Sequence, residues 1–284
     1  MTTAVVIPAY NGLVYLQANL PAVLDLKADE VIVVDDASTD KTSEFIRNSY
    51  PDIHLITNVS NRRFPKSVNI GFSSTSADVI FLLNQDTRPD MGLIKSVIPY
   101  FKKNPKMFAV TFNEGRLGWA KVEFVRGWLQ YTSQISKSPH ASFWASGGSA
   151  AFSKTLWDKL GGFDPVFSPG YHEDLDIGWR ARKHGLEILW LPRAKVEHER
   201  EATFSKTFSV TELQHIKERN YLICHWKNLG RKYLWLHVLG LTRRCLLHPG
   251  FINPLFMAIQ SLPAILRYRH SAKNLLSDTE VFHG

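Results

Sequence analysis

A chain of 284 residues with 44% hydrophobic content can bury a sizeable core in one large domain or two small ones, which excludes a disordered or fibrous protein. The net charge of +8 is concentrated late: residues 211–284 hold ten Lys and Arg against four Asp and Glu, a surplus of six, leaving +2 for the first 210. The longest apolar stretch, 251–266, is broken by Asn253, Pro254, Gln260, Ser261 and Pro263, so no run reaches the roughly 20 apolar residues a spanning helix needs.

In chain order, the first half alternates short β-branched runs with helix-like stretches. Ala4 to Ile7 reads as a strand, Leu13 to Leu26 as a helix, Val31 to Val34 as a strand and Thr42 to Ser49 as a helix. His54 to Thr57, Lys66 to Ser73, Val79 to Leu83 and Met91 to Phe101 continue the alternation. Strands alternating with helices of about ten residues predict βαβ units and a mostly parallel sheet. From Phe108 to Ser153 the pattern loosens into strand-like and aromatic pieces, with the glycine pair of Trp144-Ala145-Ser146-Gly147-Gly148-Ser149 suited to unusual backbone angles and close approach of a ligand. A helix is predicted over Tyr171 to His184, capped by Gly185, then strands over Glu187 to Leu191 and Lys195 to Val196, with His198 just after. Helical patterns dominate the remainder: Ser209 to Leu229, Lys232 to Leu247 and Leu255 to Arg269.

In parallel sheets ligands bind beyond the carboxyl ends of strands. Polar chemistry sits at three such ends: Pro8-Ala9-Tyr10-Asn11-Gly12, Asp35-Asp36-Ala37-Ser38-Thr39-Asp40, and Asn84-Gln85-Asp86. Each cluster alone is explained by turns and caps, since Asn-Gly is a turn signal and Asp with Ser caps helices. Their recurrence at successive strand ends favours a binding crevice. Glu173, Asp174 and Asp176 open the later helix, where acids also complement the helix dipole, and for Asp176 that is the preferred explanation. In the tail, Trp226, Tyr233, Trp235 and Leu236 mix with Arg231, Lys232, Arg243 and Arg244, a composition suited to an anionic bilayer surface; an ordinary helix packed on the rest of the protein is the alternative.

These segments together resemble family 2 glycosyltransferases of the GT-A fold, in particular a rhamnosyltransferase-like branch. The resemblance runs from Val5 to His198 and is carried, in family order, by VVIPAYNG, VIVVDDASTD, NRRFPKSVNIGF, VIFLLNQDTRPD, WASGGSAAFS, LGGFDPVF and YHEDLDIGWRARKHG. It implies an α/β GT-A catalytic domain over 1–205, with a nucleotide-sugar half (1–105) and an acceptor half (106–205), followed by a basic helical region (206–284). It also implies a nucleotide-diphosphate sugar donor, possible identities being dTDP-rhamnose or a UDP-sugar, held by Pro8, Ala9, Tyr10, Asp36, Asn61, Arg62, Arg63, Asn84 and Gln85. The family's Asp-x-Asp motif reads Asn84-Gln85-Asp86, leaving Asp86 with His198 for a Mg²⁺ or Mn²⁺ ion. Asp174 takes the place of the catalytic base, supported by Glu173. Trp144, Ser146, Gly147 and Gly148 fall on the acceptor side, and the implied acceptor is a saccharide or lipid-linked saccharide in polysaccharide synthesis.

A nicotinamide-dependent oxidoreductase is disfavoured because the first turn lacks G-x-G-x-x-G. A noncatalytic carbohydrate-binding or scaffold protein with a degenerate GT-A fold is the alternative from another class. No nucleic-acid motif accompanies the basic tail, so no nucleic-acid partner is expected, while homo-oligomerisation stays open. With no basic segment before Ala4 to Pro8, the expected location is the cytoplasm, peripheral on the inner face of the cell membrane, with Cys224 and Cys245 as reduced thiols.

Overall fold

The computed structural model describes residues 1–115, 118–198, 207–272 and 275–283. The four strands β1 (Thr3–Ala9), β2 (Glu30–Asp35), β3 (His54–Thr57) and β4 (Val79–Leu83) lie parallel in the order β3-β2-β1-β4. The helices α1 (Leu13–Leu24), α2 (Thr42–Ser49) and α3 (Phe64–Ser73) make the crossovers. Successive side chains of a strand point to opposite faces. In β1, Val5 and Ile7 therefore enter one core with Leu16, Leu20 and Val97, while Ala4 and Val6 enter another with Val68, Phe72 and Ile177. Burial on both faces is why β1 and β4 read as unbroken apolar runs rather than alternating ones.

Beyond β4 the chain forms β5 (Thr87–Pro89), α4 (Leu93–Lys103), β6 (Met107–Asn113), a hairpin of β7 (Trp119–Val125) and β8 (Trp128–Gln134), β9 (His140–Ala141) and β10 (Ser149–Ser153). Then come α5 (Lys154–Leu160), α6 (Glu173–Lys183) and β11 (Glu187–His198). β10 inserts antiparallel between β4 and β6, and β11 runs parallel to β6, so the sheet reads β3-β2-β1-β4-β10-β6-β11-β5. This is an α/β protein with a mostly parallel central sheet and C-terminal helices.

Several boundaries differ from the sequence reading. The two predicted strands after Gly185 are one, β11, because a register shift between Trp190 and Lys195 accommodates Pro192 without breaking the pairing. His198 is thus the last residue of a strand, paired with Thr87. α6 starts at Glu173, not Tyr171, since Tyr171 and His172 both have left-handed backbone angles (φ 73° and 69°). Gly147 and Gly148, expected to need unusual angles, have no positive φ; what they provide is room.

The C-terminal helices are α7 (Val210–Asn228), α8 (Arg231–Leu247), α9 (Ile252–Ile259), α10 (Leu262–Ser271) and α11 (Asp278–His283). The helix expected over Leu255 to Arg269 is broken into α9 and α10, bent by 58° at Gln260 and Ser261. Among the described residues no single helix is long and apolar enough to cross a membrane. α7 starts at a capping box in which Ser209 accepts from the Glu212 N–H and the Glu212 carboxylate accepts from the Ser209 N–H. It packs on α6 through a third core in which Leu222, Ile223 and Leu229 meet Phe143, Phe167, Leu175 and Trp179. Trp226 and Tyr233 pack against this core and Arg244 lies over the Trp128 and Phe251 rings, so these three do not share an outward face with Trp235.

Candidate active site

The carboxyl ends of β1, β2 and β4 open onto one cleft of about 550 Å³, within the size range of small-molecule sites. Its lining includes Pro8, Ala9, Tyr10, Asp36, Asn61, Arg63, Asn84, Gln85, Asp86, Trp144, Ser146, Gly147, Gly148, Glu173, Asp174 and His198. Of the residues predicted for the site, only Arg62 is left out. Its backbone N–H donates to Asp36 at 2.6 Å and its side chain is exposed.

The first two strand ends are tied together before any ligand is considered. Asn11, held at φ 48°, accepts from the Thr39 N–H at 2.8 Å, and the Asn11 N–H donates to Ser38 at 2.9 Å. Asp35 accepts from the Ser38 N–H and the Ser43 hydroxyl and is turned away into this scaffold. Asp36 faces the cleft and accepts from Asn58 Nδ2 at 2.8 Å and from the Arg62 and Arg63 N–H groups at 2.6 and 2.8 Å. It therefore shapes the loop carrying Asn61 and Arg63 as well as lining the crevice. Gln85 lines the cleft and is also tied to the first strand end. Its side chain brackets Tyr10, accepting from the Tyr10 N–H at 3.0 Å and donating to the Tyr10 carbonyl at 3.3 Å. It fills the space where a Cβ on Gly12 would come within 1.9 Å of its Oε1.

At the β4 end, Asp86 and His198 are brought together by the pairing of β5 with β11: His198 Nε2 lies 3.3 Å from Asp86 Oδ1. On its other side, His198 Nδ1 lies 3.3 Å from Glu114 Oε2. Burial works against a charge on this imidazole, but the two carboxylates outweigh it and push its pKa up to about 9. Glu114 also accepts from the hydroxyls of Ser146 and Ser149, fixing its orientation. Gly148 makes the cluster possible, because a Cβ there would sit 2.4 Å from Asn84 Nδ2 and 3.0 Å from His198 Cε1.

Across the glycine pair stands Asp174, in the first turn of α6. Its Oδ1 accepts from the Leu175 N–H at 2.7 Å and its Oδ2 from the Gly147 N–H at 3.2 Å. Burial pushes its carboxyl above the ordinary range, partly offset by those N–H donors, and the charge of Glu114 adds to the rise. Glu173 is raised well above the usual range by burial and by Asp174 beside it, and its Oε2 has no hydrogen-bond partner among the described residues. Asp176 is different: it is fully buried, and burial is overcome by Arg180 and Lys227, which hold its carboxyl below the usual range. It serves the packing of α6 on α7 rather than the cleft.

Glu114 and Tyr131 are among the lining residues that fall outside the set predicted from sequence. Glu114 follows β6 as Asp36 follows β2, so the strand-end rule finds it once β6 is recognised. Tyr131 on β8 meets Trp144 edge to face at 5.1 Å, and burial together with the nearby charge of Asp174 raises its hydroxyl pKa. A tyrosine in a hairpin gives no local sequence signal of that kind.

The Glu173 geometry predicts a stability effect with a definite sign. A carboxyl whose pKa is raised on folding binds more protons in the native state, so stability falls as pH rises from about 4.5 through the folded value. Glu173→Gln should therefore raise the melting temperature at pH 7.5, by about 2–4 °C for each kcal/mol relieved, and the gain should vanish towards pH 4. Differential scanning fluorimetry across that range checks it; an unchanged or lower melting temperature at pH 7.5 contradicts the assignment of strain to Glu173.

Residues 4–161 match the model of the family described as glycosyl transferase family 2, and the chain belongs to that family. It is 27% identical over 198 residues to the poly-beta-1,6-N-acetyl-D-glucosamine synthase of Staphylococcus epidermidis, a match covering 65% of this chain and 47% of that protein. The Staphylococcus aureus synthase is 27% identical over 195 residues, with the same coverage. The chain thus spans about half the length of the curated relatives it matches. Among solved structures, GalNAc-T7 with UDP, GalNAc and Mn²⁺ aligns with a TM-score of 0.66 at 17% identity, over 82% of this chain and 49% of that one. Staphylococcus aureus TarS 1–349 with UDP-GlcNAc aligns at 0.60 and 18% identity, over 94% and 84%. The mannosyltransferase PcManGT of Pyrobaculum calidifontis, in complex with GDP-Man and Mn²⁺, aligns at 0.58 and 17% identity, over 92% and 80%. These likenesses, all below 25% identity, show the GT-A fold, and the family match places the chain in glycosyl transferase family 2.

Proposed function

We propose that the chain is an inverting, divalent-metal-dependent glycosyltransferase that moves a sugar from a nucleoside-diphosphate donor to a hydroxyl of a saccharide or lipid-linked saccharide in polysaccharide synthesis. The observation that carries this reading is the placement of Asp86 with His198 on one side of the Gly147–Gly148 pair and Asp174 on the other, inside one cleft. A UDP-sugar is the donor class favoured by the ligands of the aligned GalNAc-T7 and TarS structures, and dTDP-rhamnose is the other pyrimidine candidate. The synthases named above favour a polysaccharide product.

The residues present fit a hard divalent ion. Among the described residues buried Asn84 Oδ1 has no hydrogen-bond partner, and Asp86 Oδ1 faces His198 Nε2 at 3.3 Å while Glu114 can take the other ring N–H, the arrangement that fixes a metal-binding imidazole. Among the described residues no group of three or more acidic, His or Cys ligands forms a complete cage. That suits Mg²⁺ or Mn²⁺ held by one carboxylate and one imidazole and completed by diphosphate oxygens. Such an ion would supply Lewis-acid neutralisation of the charge on the departing nucleoside diphosphate.

The protein's own groups supply the rest. Asp36, Asn61 and Tyr10 bound the nucleoside end of the cleft, and Arg63 stands where a diphosphate would need a cation. Asp174 takes the proton of the acceptor hydroxyl as its oxygen bonds to the anomeric carbon, and the bond to the leaving phosphate oxygen breaks on the opposite face with its electron pair. No covalent sugar–enzyme bond is needed, so the anomeric configuration inverts. Trp144 and Tyr131 offer ring faces and edges beside Asp174 for the acceptor sugar.

Calorimetric titration of UDP tests the donor side. With Mn²⁺ present UDP should bind, and either chelation or Asp86→Ala should weaken it at least ~10-fold, since removing one charge-assisted interaction from a desolvated site costs about 1.5–3 kcal/mol. Equal affinity in all three conditions would sink the metal assignment.

A further inference from the structure

Residues 231–272 carry six Lys and Arg and no Asp or Glu, a one-signed stretch that the chemistry of the cleft does not use. At 100° per residue, α8 turns His237, Leu241 and Arg244 towards the protein, where Arg244 bonds Glu218 at 3.0 Å and His237 Nδ1 donates to the Gly127 carbonyl at 2.8 Å. The opposite face presents Lys232, Trp235, Leu239, Arg243, Leu246 and Leu247 to solvent, with Trp235 72% and Leu246 79% exposed. Past the 3₁₀ turn at 249–251, Phe256 of α9 (66%) and Leu266 of α10 (62%) are exposed as well. Exposed apolar side chains in such a row mark a surface that something covers.

Charge selects the occupant. A second copy meeting this face would set Lys232 and Arg243 against cations of the same stretch, with no acid in 231–272 to pair them, whereas an anionic lipid surface pairs them all. A tryptophan beside cations, with apolar side chains between, is the composition of a helix lying in a bilayer interface. The 58° bend between α9 and α10 keeps the apolar surface in short pieces suited to lying on a membrane.

We propose that the outer face of α8 is a docking surface for anionic membrane. α8 rests in turn on the β7–β8 turn, where a Cβ on Gly127 would come within 2.5 Å of the Leu236 carbonyl and one on Gly240 within 2.6 Å of the Arg126 carbonyl. β8 carries Tyr131, Thr132 and Ser133 into the lining of the cleft. One hairpin thus connects the membrane face to the acceptor side, so a lipid-linked acceptor meets the site without leaving the bilayer; this last step rests on the proposed transferase reading, while docking itself does not.

Cosedimentation with vesicles tests the docking. Vesicles of phosphatidylcholine with phosphatidylglycerol should bind the protein at least ~10-fold more strongly than phosphatidylcholine alone, and the excess should shrink as salt screens it. Leu239→Asp/Leu246→Asp and Lys232→Glu/Arg243→Glu should each lower binding ~10-fold or more, with unchanged melting temperature and UDP affinity. Lys102→Glu/Lys103→Glu, on the exposed end of α4, should bind like the wild type. Binding that ignores lipid charge, or that survives both α8 pairs, overturns the proposal. So does a dimer in sedimentation equilibrium that the leucine pair dissolves, which would assign the face to a second copy. Loss of transfer to a soluble acceptor with vesicle binding intact would count against the proposed chemistry alone.

Discussion

Asp174→Asn should lower the turnover of glycosyl transfer by ~10²-fold or more while leaving UDP affinity within about threefold, because general-base help is typically worth ~10²–10⁴-fold and none of it is needed for donor binding. The amide can still accept from the Leu175 N–H through its oxygen, so the start of α6 keeps its shape, but it cannot take a proton. The wild-type pH profile carries the same information. Asp174 is active only when ionised, and its carboxyl is raised, so the rate should decline on the acid side with an apparent pKa above the roughly 3.9 of an ordinary aspartate. A variant with near wild-type turnover would move the base elsewhere, with Glu173 next in position. A full loss of UDP binding would instead make Asp174 part of the donor site.

Lys227→Met should destabilise the protein by about 3–5 kcal/mol, the range for removing one partner of a buried ion pair. Lys227 is 4% exposed and its ammonium donates to Asp164 at 2.7 Å and to Asp176 at 2.8 Å, with Asn228 holding the other Asp176 oxygen at 2.8 Å and Arg180 completing the cluster. Its removal leaves a fully buried carboxylate short of positive charge in the first turn of the helix that begins with Glu173 and Asp174. The melting temperature at pH 7.5 should fall by roughly 10 °C. The doubly substituted Lys227→Met/Asp176→Asn protein should recover part of that loss, because the uncompensated charge is gone. A fall of less than about 3 °C would mean that water or Arg180 alone satisfies Asp176. Acid should act in the same direction as the substitution: Asp176 is depressed on folding, so its contribution is complete above about pH 4 and lost as pH drops through the folded value.

What the sequence shows of this molecule follows from which interactions are local. The two-sided apolar runs of β1 and β4 and the helical stretches between them specify parallel crossovers, and from those the strand-end rule leads directly to Tyr10, Asp36 and Asp86. Asp174 is legible through the resemblance carried by YHEDLDIGWRARKHG, since its place at the start of a helix is by itself explained by the helix dipole. Glu114 is not, since its importance depends on the parallel pairing of β6 with β11, which joins residues about 80 positions apart. Gln85 sits in a motif that suggests ligand contact, yet the absence of a Cβ on Gly12 leaves a gap that its side chain fills, and that is visible only in three dimensions. In the tail, the composition indicates a basic, aromatic surface, whereas the phase of α7 turns Trp226 inward and that of α8 turns Tyr233 and Arg244 inward and Trp235 outward.

The cluster around Asp176 also has a consequence in time. Its two partners on α7 lie 51 and 52 residues further along the chain. At a synthesis rate of about 5–20 residues per second, the nascent chain holds the segment of α6 for roughly 3–10 s before the lysine and asparagine that complete it exist. Throughout that interval the buried aspartate has only Arg180 on its own helix to meet it. The parallel sheet through β4 can form early from neighbouring segments, but the helix bearing Asp174 can reach its final packing only after Asn228 has been made. The final geometry of Asp174 is therefore a late event in biogenesis, and a protease or chaperone acting on the emerging polypeptide would meet the early parallel sheet next to an unfinished α6.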